Sequence, residues 1–380
     1  MRVGWITTGF SIGEKDFGGA AAIHNLAKEL SLHNEIEPVI FSLYYPVNRH
    51  EYNFYNAKVY SFAKKEYINK FEKIRLWKRC RKKFEEEHKR IPFDVIHSIW
   101  SGESGYVASR LSRKLKIPFI ANVCGGELAE FPKIHYGGRT KFWQKIFIDT
   151  AFERAHKIIA GSNYITDKII SYYIDSISNK VIKIPFGVDE KLFYPNKTIS
   201  DFPALITIGN AVPVKAYTLM LKALKITVQK YPDAKLTVCG RDDNNILPQI
   251  IKEFGLSNNV ELKGIVDYEN IPGVLNSSDI FILSSLYESQ NMSIIEAAFC
   301  GLPVVSSNVG VAGEITENTV EPGNAEKLAE RIIYVIENYK KESEKALSKI
   351  TGLKEKFSLT NCVNKFIELY KSISDKRILK

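Results

Sequence analysis

The sequence predicts an α/β protein made of two doubly wound, mostly parallel sheets, and three observations carry that prediction. Short apolar runs alternate with longer helical stretches along the chain. Several runs are apolar at every position, Ile280-Phe281-Ile282-Leu283 and Val304-Val305 among them, as parallel strands covered by helices on both faces must be. The alternation comes as two series, separated by a segment from Pro185-Phe186-Gly187 to Pro195 whose prolines and glycine break regular structure.

Taken in order, the first series places strands at 3–8, 38–43, 59–62, 94–99, 118–123, 157–161 and 180–184, with helices such as 105–115 and 141–155 between them. The second places strands at 204–209, 235–239, 260–264, 280–284 and 303–307, with helices such as 217–230 and 325–339. The stretch 359–372 is helical and is expected to pack back across the first domain. Strand–helix–strand connections of this kind are right-handed and build Rossmann-like sheets. The expected domains are therefore 1–190 and 191–358, followed by a C-terminal helix within 359–380, and 380 residues suit two domains. Open α/β sheets bind ligands outside the carboxyl ends of their strands, so residues just after strands, facing a cleft between the two domains, are the ones to inspect.

Composition narrows the class. Hydrophobic residues make up 45% and charged residues 25%, as in ordinary globular chains. The five cysteines, Cys80, Cys124, Cys239, Cys300 and Cys362, are scattered without a CxxC pair, which argues against a disulfide framework or a zinc site and for a reducing compartment. The apolar run 3–8 is too short for a secretory segment, and no run of about 18 apolar residues occurs. A cytoplasmic protein is expected. The formal charge is +10, and the stretch from Lys64 to Arg90 holds twelve Lys/Arg against five Glu. Within it Phe71, Ile74, Trp77 and Phe84 fall on one helical stripe. Two readings stand: a solvated helix with one face packed on its domain, or a basic amphipathic segment lying on an anionic membrane surface. No nucleic-acid motif accompanies the charge, so no nucleic-acid partner is expected.

The site-bearing segments follow strands. Glycines at 9, 13, 18 and 19 lie between the first strand and a helix beginning Ala20-Ala21-Ala22-Ile23, which suits a ligand brought close to helix N–H groups. The pattern is not GxGxxG, which disfavours a nicotinamide or flavin cofactor. After strand 204–209, Lys215 stands at the start of a helix, where its ammonium can meet phosphate as a point charge. After strand 280–284, Glu288 lies in the loop and Glu296 about one turn into the next helix. Paired carboxylates suit vicinal hydroxyls, and free N–H groups around Asn291, Met292 and Ser293 suit a phosphate. An alternative stands beside this: Ser293-x-x-Glu296 is also a capping box, with Asn291 a competing N-cap.

Glu288 and Glu296, seven residues between them, followed by Ala297-Ala298-Phe299-Cys300-Gly301-Leu302-Pro303-Val304-Val305, resemble the signature of GT4-type retaining glycosyltransferases. Gly18-Gly19, the segment Pro185-Phe186-Gly187-Val188-Asp189 with Phe193 and Pro195, the runs 260–264 and 271–278, Gly310 and Glu314 resemble further parts of that family, so the likeness spans most of the chain. The resemblance implies a GT-B fold, a nucleotide-diphosphate sugar donor, retention of anomeric configuration and no obligate metal or other cofactor. It implies that Glu296 holds the donor ribose, that Glu288 contacts the transferred sugar, and that Lys215 neutralises the departing diphosphate with help from N–H groups at Asn291–Ser293. Gly209 would let its loop approach the donor, and Asn210 beside it stands where the family usually has arginine.

On the acceptor side the resemblance points to Gly18 and Gly19. Cys124-Gly125-Gly126-Glu127 replaces the usual His-Gly, so Gly126 and Glu127 become candidates for acceptor hydroxyls, with a surface position the alternative for Glu127. His97 and Trp100 follow a strand and are candidate acceptor contacts, the alternatives being a packed histidine and a core tryptophan. The expected chemistry is front-face transfer of a sugar to a saccharide or lipid-linked acceptor of surface-polysaccharide synthesis, with charge stabilisation on the leaving group. A nucleotide-sugar epimerase and a non-catalytic nucleotide-sugar-binding protein are the rival readings.

Overall fold

Trp5 and Ile6 are neighbours on strand β1 (Arg2–Gly9) and point to opposite faces, yet both are fully buried. That strand therefore lies inside a layered α/β unit. The computed structural model describes residues 1–17, 20–47, 49–64, 66, 68–173, 177–198 and 202–378. The chain divides into two compact units, Met1–Gly187 together with Leu359–Lys380, and Val188–Ser358.

The first unit adds β2 (Glu37–Tyr45), β3 (Glu51–Phe54), β4 (Ala57–Ser61), β5 (Val95–Ile99), β6 (Phe119–Val123), β7 (Lys157–Ala160) and β8 (Val181–Lys183). Their order across the sheet is β3-β4-β2-β1-β5-β6-β7-β8. All neighbours are parallel except β3 and β4, which form a hairpin. Only its second strand is legible in the sequence, because Tyr55 takes the left-handed turn position (φ +47°) with no glycine to announce it. The crossovers include α1 (Ala21–Leu32), α2 (Lys70–Arg90), α3 (Glu103–Leu115), α4 (Phe142–Arg154) and α5 (Asn163–Tyr173).

α2 starts at residue 70, inside the basic stretch, because Asn69 and Glu72 form a reciprocal capping box: Glu72 N–H donates to Asn69 Oδ1 (3.0 Å) and Asn69 N–H to Glu72 Oε2 (2.8 Å). Its apolar stripe is graded. Phe84 is fully buried and Trp77 half-buried, while Phe71 and Ile74 are 76% and 47% exposed. The far end is anchored by Arg2, whose guanidinium reaches the Glu87 carboxylate at 2.8 Å. Burial opposes ionisation of Glu87, but hydrogen bonds from Tyr60, Arg2 and Arg90 outweigh it and hold the carboxyl down at about 2.

The second unit is a six-stranded parallel sheet in the order β11-β10-β9-β12-β13-β14. Its strands are β9 (Ala204–Ile208), β10 (Lys235–Cys239), β11 (Val260–Gly264), β12 (Ile280–Leu283), β13 (Val304–Ser307) and β14 (Thr319–Val320). The helices are α6 (Tyr217–Lys230), α7 (Leu247–Glu253), α8 (Ile271–Asn276), α9 (Met292–Phe299), α10 (Ala312–Ile315), α11 (Ala325–Glu337) and α12 (Tyr339–Phe357). All four residues of β12 are buried, as its unbroken apolar run predicts, whereas β11 is an exposed edge.

The last helix, α13 (Leu359–Ile378), belongs to the first unit. Cys362, Phe366 and Tyr370, four residues apart, bury one stripe of it against β5 and α1. Among the described residues, no helix is long and apolar enough to cross a membrane.

Candidate functional site

In each unit the strand order reverses once, between β1 and β5 and between β9 and β12, and such switch points open a crevice at the strands' carboxyl ends. In the second unit, the turn after β9 carries Gly209, Asn210 and a short turn, Pro213–Lys215, before α6. The end of β12 clamps that turn. The Ser284 hydroxyl is shared between the carbonyls of Lys215 (2.8 Å) and Ala216 (3.2 Å), and Leu286 N–H donates to the Val214 carbonyl (2.8 Å).

The clamp brings Lys215 Nζ to 2.6 Å from Glu288 Oε1, which also accepts from the Ser285 hydroxyl at 2.6 Å. The side chains are 21% and 13% exposed, so the pair is open to a ligand yet poorly screened by water. A Cβ on Gly209 would stand 3.7 Å from Lys215 Nζ, which places this glycine directly beside the ammonium. The Ser293 hydroxyl donates to the Ile208 carbonyl (3.2 Å) and ties the start of α9 to the same edge. Gly310 packs under Glu288: at φ +59°, a Cβ there would lie 2.4 Å from the Gln290 carbonyl oxygen and 3.0 Å from Glu288 Cβ.

The start of α9 decides between the two sequence readings of Glu296. Asn291 is the N-cap, at φ +71°, and its Oδ1 accepts from Ile294 N–H (3.1 Å). The third helical position is therefore Ile294, and the Ser293–Glu296 capping box does not form. Asn291 Nδ2 is buried without a hydrogen-bond partner among the described residues. The first-turn N–H groups of Met292 and Ser293 have no acceptor within the helix. Glu296, 6% exposed, is a buried carboxyl; burial pushes it up to about 7, opposed by a hydrogen bond with the Tyr268 side chain. Asn210 turns to the neighbouring loop, its Oδ1 accepting from Arg241 N–H at 3.0 Å. The structure thus groups Gly209, Lys215, Glu288 and Ser293, with Glu296 set deeper beside Tyr268, a partner that no local spacing marks.

In the first unit, Gly18 and Gly19 lie outside the described residues. The β1/β5 switch point holds an open pocket of about 380 Å³ walled by Thr8, Tyr44, Lys73, Trp100, Glu103 and Gln144 among others. Glu103, in the first turn of α3, stands in its wall. That carboxylate accepts from the Tyr44 hydroxyl, from Lys73 Nζ (2.8 Å) and from Gln144 Nε2 (3.2 Å). Tyr44 in turn accepts from Trp77 Nε1 at 2.9 Å. Sequence reading missed this cluster, although an acidic first turn directly after strand β5 is a signal of a kind. Trp100 and Gly126 do line the pocket, Trp100 in a left-handed backbone conformation (φ +64°).

One acceptor candidate, His97, and one alternative, a surface position for Glu127, need correction. His97 is fully buried; Tyr370 of α13 meets its Nδ1 at 2.8 Å, and burial pushes its pKa down to about 3. It is a neutral packing residue, out of reach of an acceptor. Glu127 also touches the pocket wall but is 6% exposed, and its carboxylate accepts the backbone N–H groups of Ser101 (3.1 Å), Cys124 (3.1 Å) and Gly125 (2.7 Å). It ties the β5 and β6 loops together rather than standing on the surface. Among the described residues, no group of three His, Cys, Asp or Glu could hold a metal ion.

Comparison with known proteins adds the following. Residues 189–373 match the model of the family described as glycosyl transferases group 1, and residues 18–192 match that of Glycosyltransferase Family 4. An uncharacterized glycosyltransferase of Methanocaldococcus jannaschii is 27% identical over 291 residues, 74% of this chain and 76% of that protein. One subunit of the human phosphatidylinositol N-acetylglucosaminyltransferase is 29% identical over 44% of this chain and 37% of its own length. Among solved structures, a sucrose-phosphate synthase from Thermosynechococcus elongatus superposes with a TM-score of 0.80 at 17% identity, covering 98% and 99% of the two chains. An Anabaena protein, HepE, in complex with UDP and glucose superposes with a TM-score of 0.75 at 17% identity, covering 98% and 100%. These likenesses establish the two-sheet GT-B architecture.

Proposed function

The chain belongs to the glycosyltransferases that these two family models describe between them, and on that premise we propose that it moves a sugar from a nucleotide-diphosphate sugar to a saccharide or glycolipid acceptor with retention of anomeric configuration. One observation carries the reading: the Lys215–Glu288 pair, 2.6 Å apart, stands at the β9/β12 switch point beside Gly209 and the start of α9.

In this reading Lys215 neutralises charge on the departing diphosphate, and such preorganised charge is the largest lever on a transfer of this kind. The N–H groups of Met292 and Ser293 and the unpaired amide of Asn291 add donors around the phosphates. Glu288 accepts a hydroxyl of the transferred sugar. Glu296, with Tyr268, takes the hydroxyls of the donor ribose, where a buried carboxylate gains most from two hydroxyl donors. Front-face substitution balances as follows. The acceptor oxygen bonds to the anomeric carbon on the face the diphosphate leaves, the sugar–phosphate bond breaks, and the acceptor proton passes to the departing phosphate oxygen. No metal is needed for that step. The acceptor belongs with surface polysaccharides or glycolipids, and the pocket around Glu103 is its place in the first unit.

A thermal-shift screen against nucleotide sugars tests the donor, since a ligand at a hundred times its Kd stabilises the folded state by about 2.7 kcal/mol. NMR of the product then reads the anomer. No stabilisation by any nucleotide sugar, or an inverted linkage, rejects the proposal.

A further inference from the structure

Two helices of the first unit converge on one carboxylate oxygen. Lys73 of α2 and Gln144 of α4 both donate to Oε1 of Glu103. Close by, the Trp77 ring meets the Phe147 ring edge-on, centroids 5.5 Å apart, and Tyr106 touches both. From that contact each helix carries an apolar stripe toward its own first turn. Ile74 lies three residues before Trp77, Phe71 three before Ile74, and Trp143 four before Phe147, steps that make successive neighbours on a helix surface.

The outer ends of both stripes are bare. Phe71 is 76%, Ile74 47%, Phe142 71% and Trp143 61% exposed, and the Phe142 and Trp143 rings stand T-shaped, centroids 5.4 Å apart. Exposed cations flank them: Lys70, Arg75 and Lys78 on α2, and Lys141 and Lys145 beside Trp143. None of these five has an ion-pair partner among the described residues. The acidic run of α2, Glu85-Glu86-Glu87, sits at its opposite end, and Glu72 is engaged in the cap.

We infer that this surface seats on an anionic lipid bilayer. Phe71, Ile74, Phe142 and Trp143 enter the boundary between headgroups and acyl chains, and the five cations lie over lipid phosphates. Large apolar side chains ringed by Lys and Arg match the chemistry of such an interface on both counts. A nucleic acid would use the cations but give the apolar groups no cover. The pocket opens beside this surface, because Lys73 and Gln144 belong to both. The seat therefore deepens the acceptor side of the function proposed above, and rests on it only for what enters the pocket: the polar head of a membrane-held acceptor.

The test is co-sedimentation of the full chain with vesicles of phosphatidylcholine alone and with phosphatidylglycerol added. Wild type binds the anionic vesicles and only weakly the neutral ones. The double variant Phe142→Ser/Trp143→Ser loses about tenfold on anionic vesicles. Lys141→Ser/Lys145→Ser loses about fivefold per cation there and nothing on neutral vesicles. Ile265→Ser removes an equally exposed apolar side chain (72%) from the second unit and leaves binding unchanged. Circular dichroism and a melting curve, read on the same samples, confirm folding. Wild type that ignores anionic vesicles overturns the inference. So does a Phe142/Trp143 variant that binds like wild type, or an equal loss in Ile265→Ser. Vesicle binding that persists in a protein no nucleotide sugar stabilises overturns the donor reading and leaves the bilayer seat standing.

Discussion

Replacing Glu296 by glutamine should stabilise the free protein and loosen its hold on a nucleotide sugar at the same time. The carboxyl is 6% exposed, and burial raises it from 4.5 to about 7, with the Tyr268 hydrogen bond working the other way. A raised carboxyl means that the unfolded chain releases its proton first as pH rises. The penalty on folding is therefore absent below pH 4.5, grows through the interval and is complete above about 7. A displacement of that size is worth about 3 kcal/mol. Glutamine keeps the shape and the acceptor for Tyr268 but has no charge to desolvate. Urea unfolding at about pH 8 should then show the variant more stable by about 3 kcal/mol, and the two proteins should converge near pH 4. Calorimetric titration with a nucleotide sugar should show affinity falling by about tenfold to a hundredfold, the worth of a charge-assisted hydrogen bond or two. A variant less stable than wild type by the same amount at every pH would refute the buried-carboxyl argument. A stabilised variant with unchanged nucleotide affinity would refute the ribose assignment.

Lys215→Ala should lower kcat by about 10²- to 10³-fold, the usual cost of losing one preorganised charge on a leaving group, and should lower the melting temperature, because Glu288, 13% exposed, loses its cation; steady-state kinetics and a melting curve check both halves. Gly310→Ala should cost more than about 2 kcal/mol, because it forces a side chain into a left-handed site and onto the Gln290 carbonyl; a urea midpoint within error of wild type would contradict this. Tyr370→Phe removes a hydroxyl that accepts from Trp5 Nε1 (3.2 Å) and meets His97 Nδ1 (2.8 Å), leaving two buried polar groups unpaired at a cost of about 3 kcal/mol; chemical denaturation measures it. His97, held neutral down to about 3, favours folding above pH 6.5 and withdraws about 1.4 kcal/mol for each pH unit below it; His97→Gln should flatten that part of the stability–pH curve.

Much of the second unit is legible in sequence because its central strands are covered on both faces and so are apolar throughout. Ile280–Leu283 is the clearest case. Once those strands are placed, Lys215 and Glu288 follow from the rule that ligands gather at strand ends. The pocket of the first unit is not legible, because the partners of Glu103 come from positions 44, 73 and 144 and share no spacing. His97 misleads for a related reason: the face it points to is covered by α13, far along the chain. Glu127 is held by three backbone N–H groups, an arrangement that loop geometry alone creates, and burial still pushes its carboxyl up. The Ser293-x-x-Glu296 pattern fails as a cap because Asn291, two residues earlier, takes the position first.

The return of Leu359–Lys380 to the unit that begins at Met1 sets the order in which the polypeptide can mature on the ribosome. Val188–Ser358 is synthesised whole before the first unit possesses its final wall. His97 waits for a partner 273 positions downstream, and Trp5 for the same tyrosine 365 positions downstream. At roughly 5–20 residues per second that interval lasts tens of seconds. Throughout it, the groove later filled by Cys362, Phe366 and Tyr370 stands open beside nascent chain. A chain cut after Ser358 should therefore have a native later unit and an earlier unit that is a substrate for chaperones and proteases.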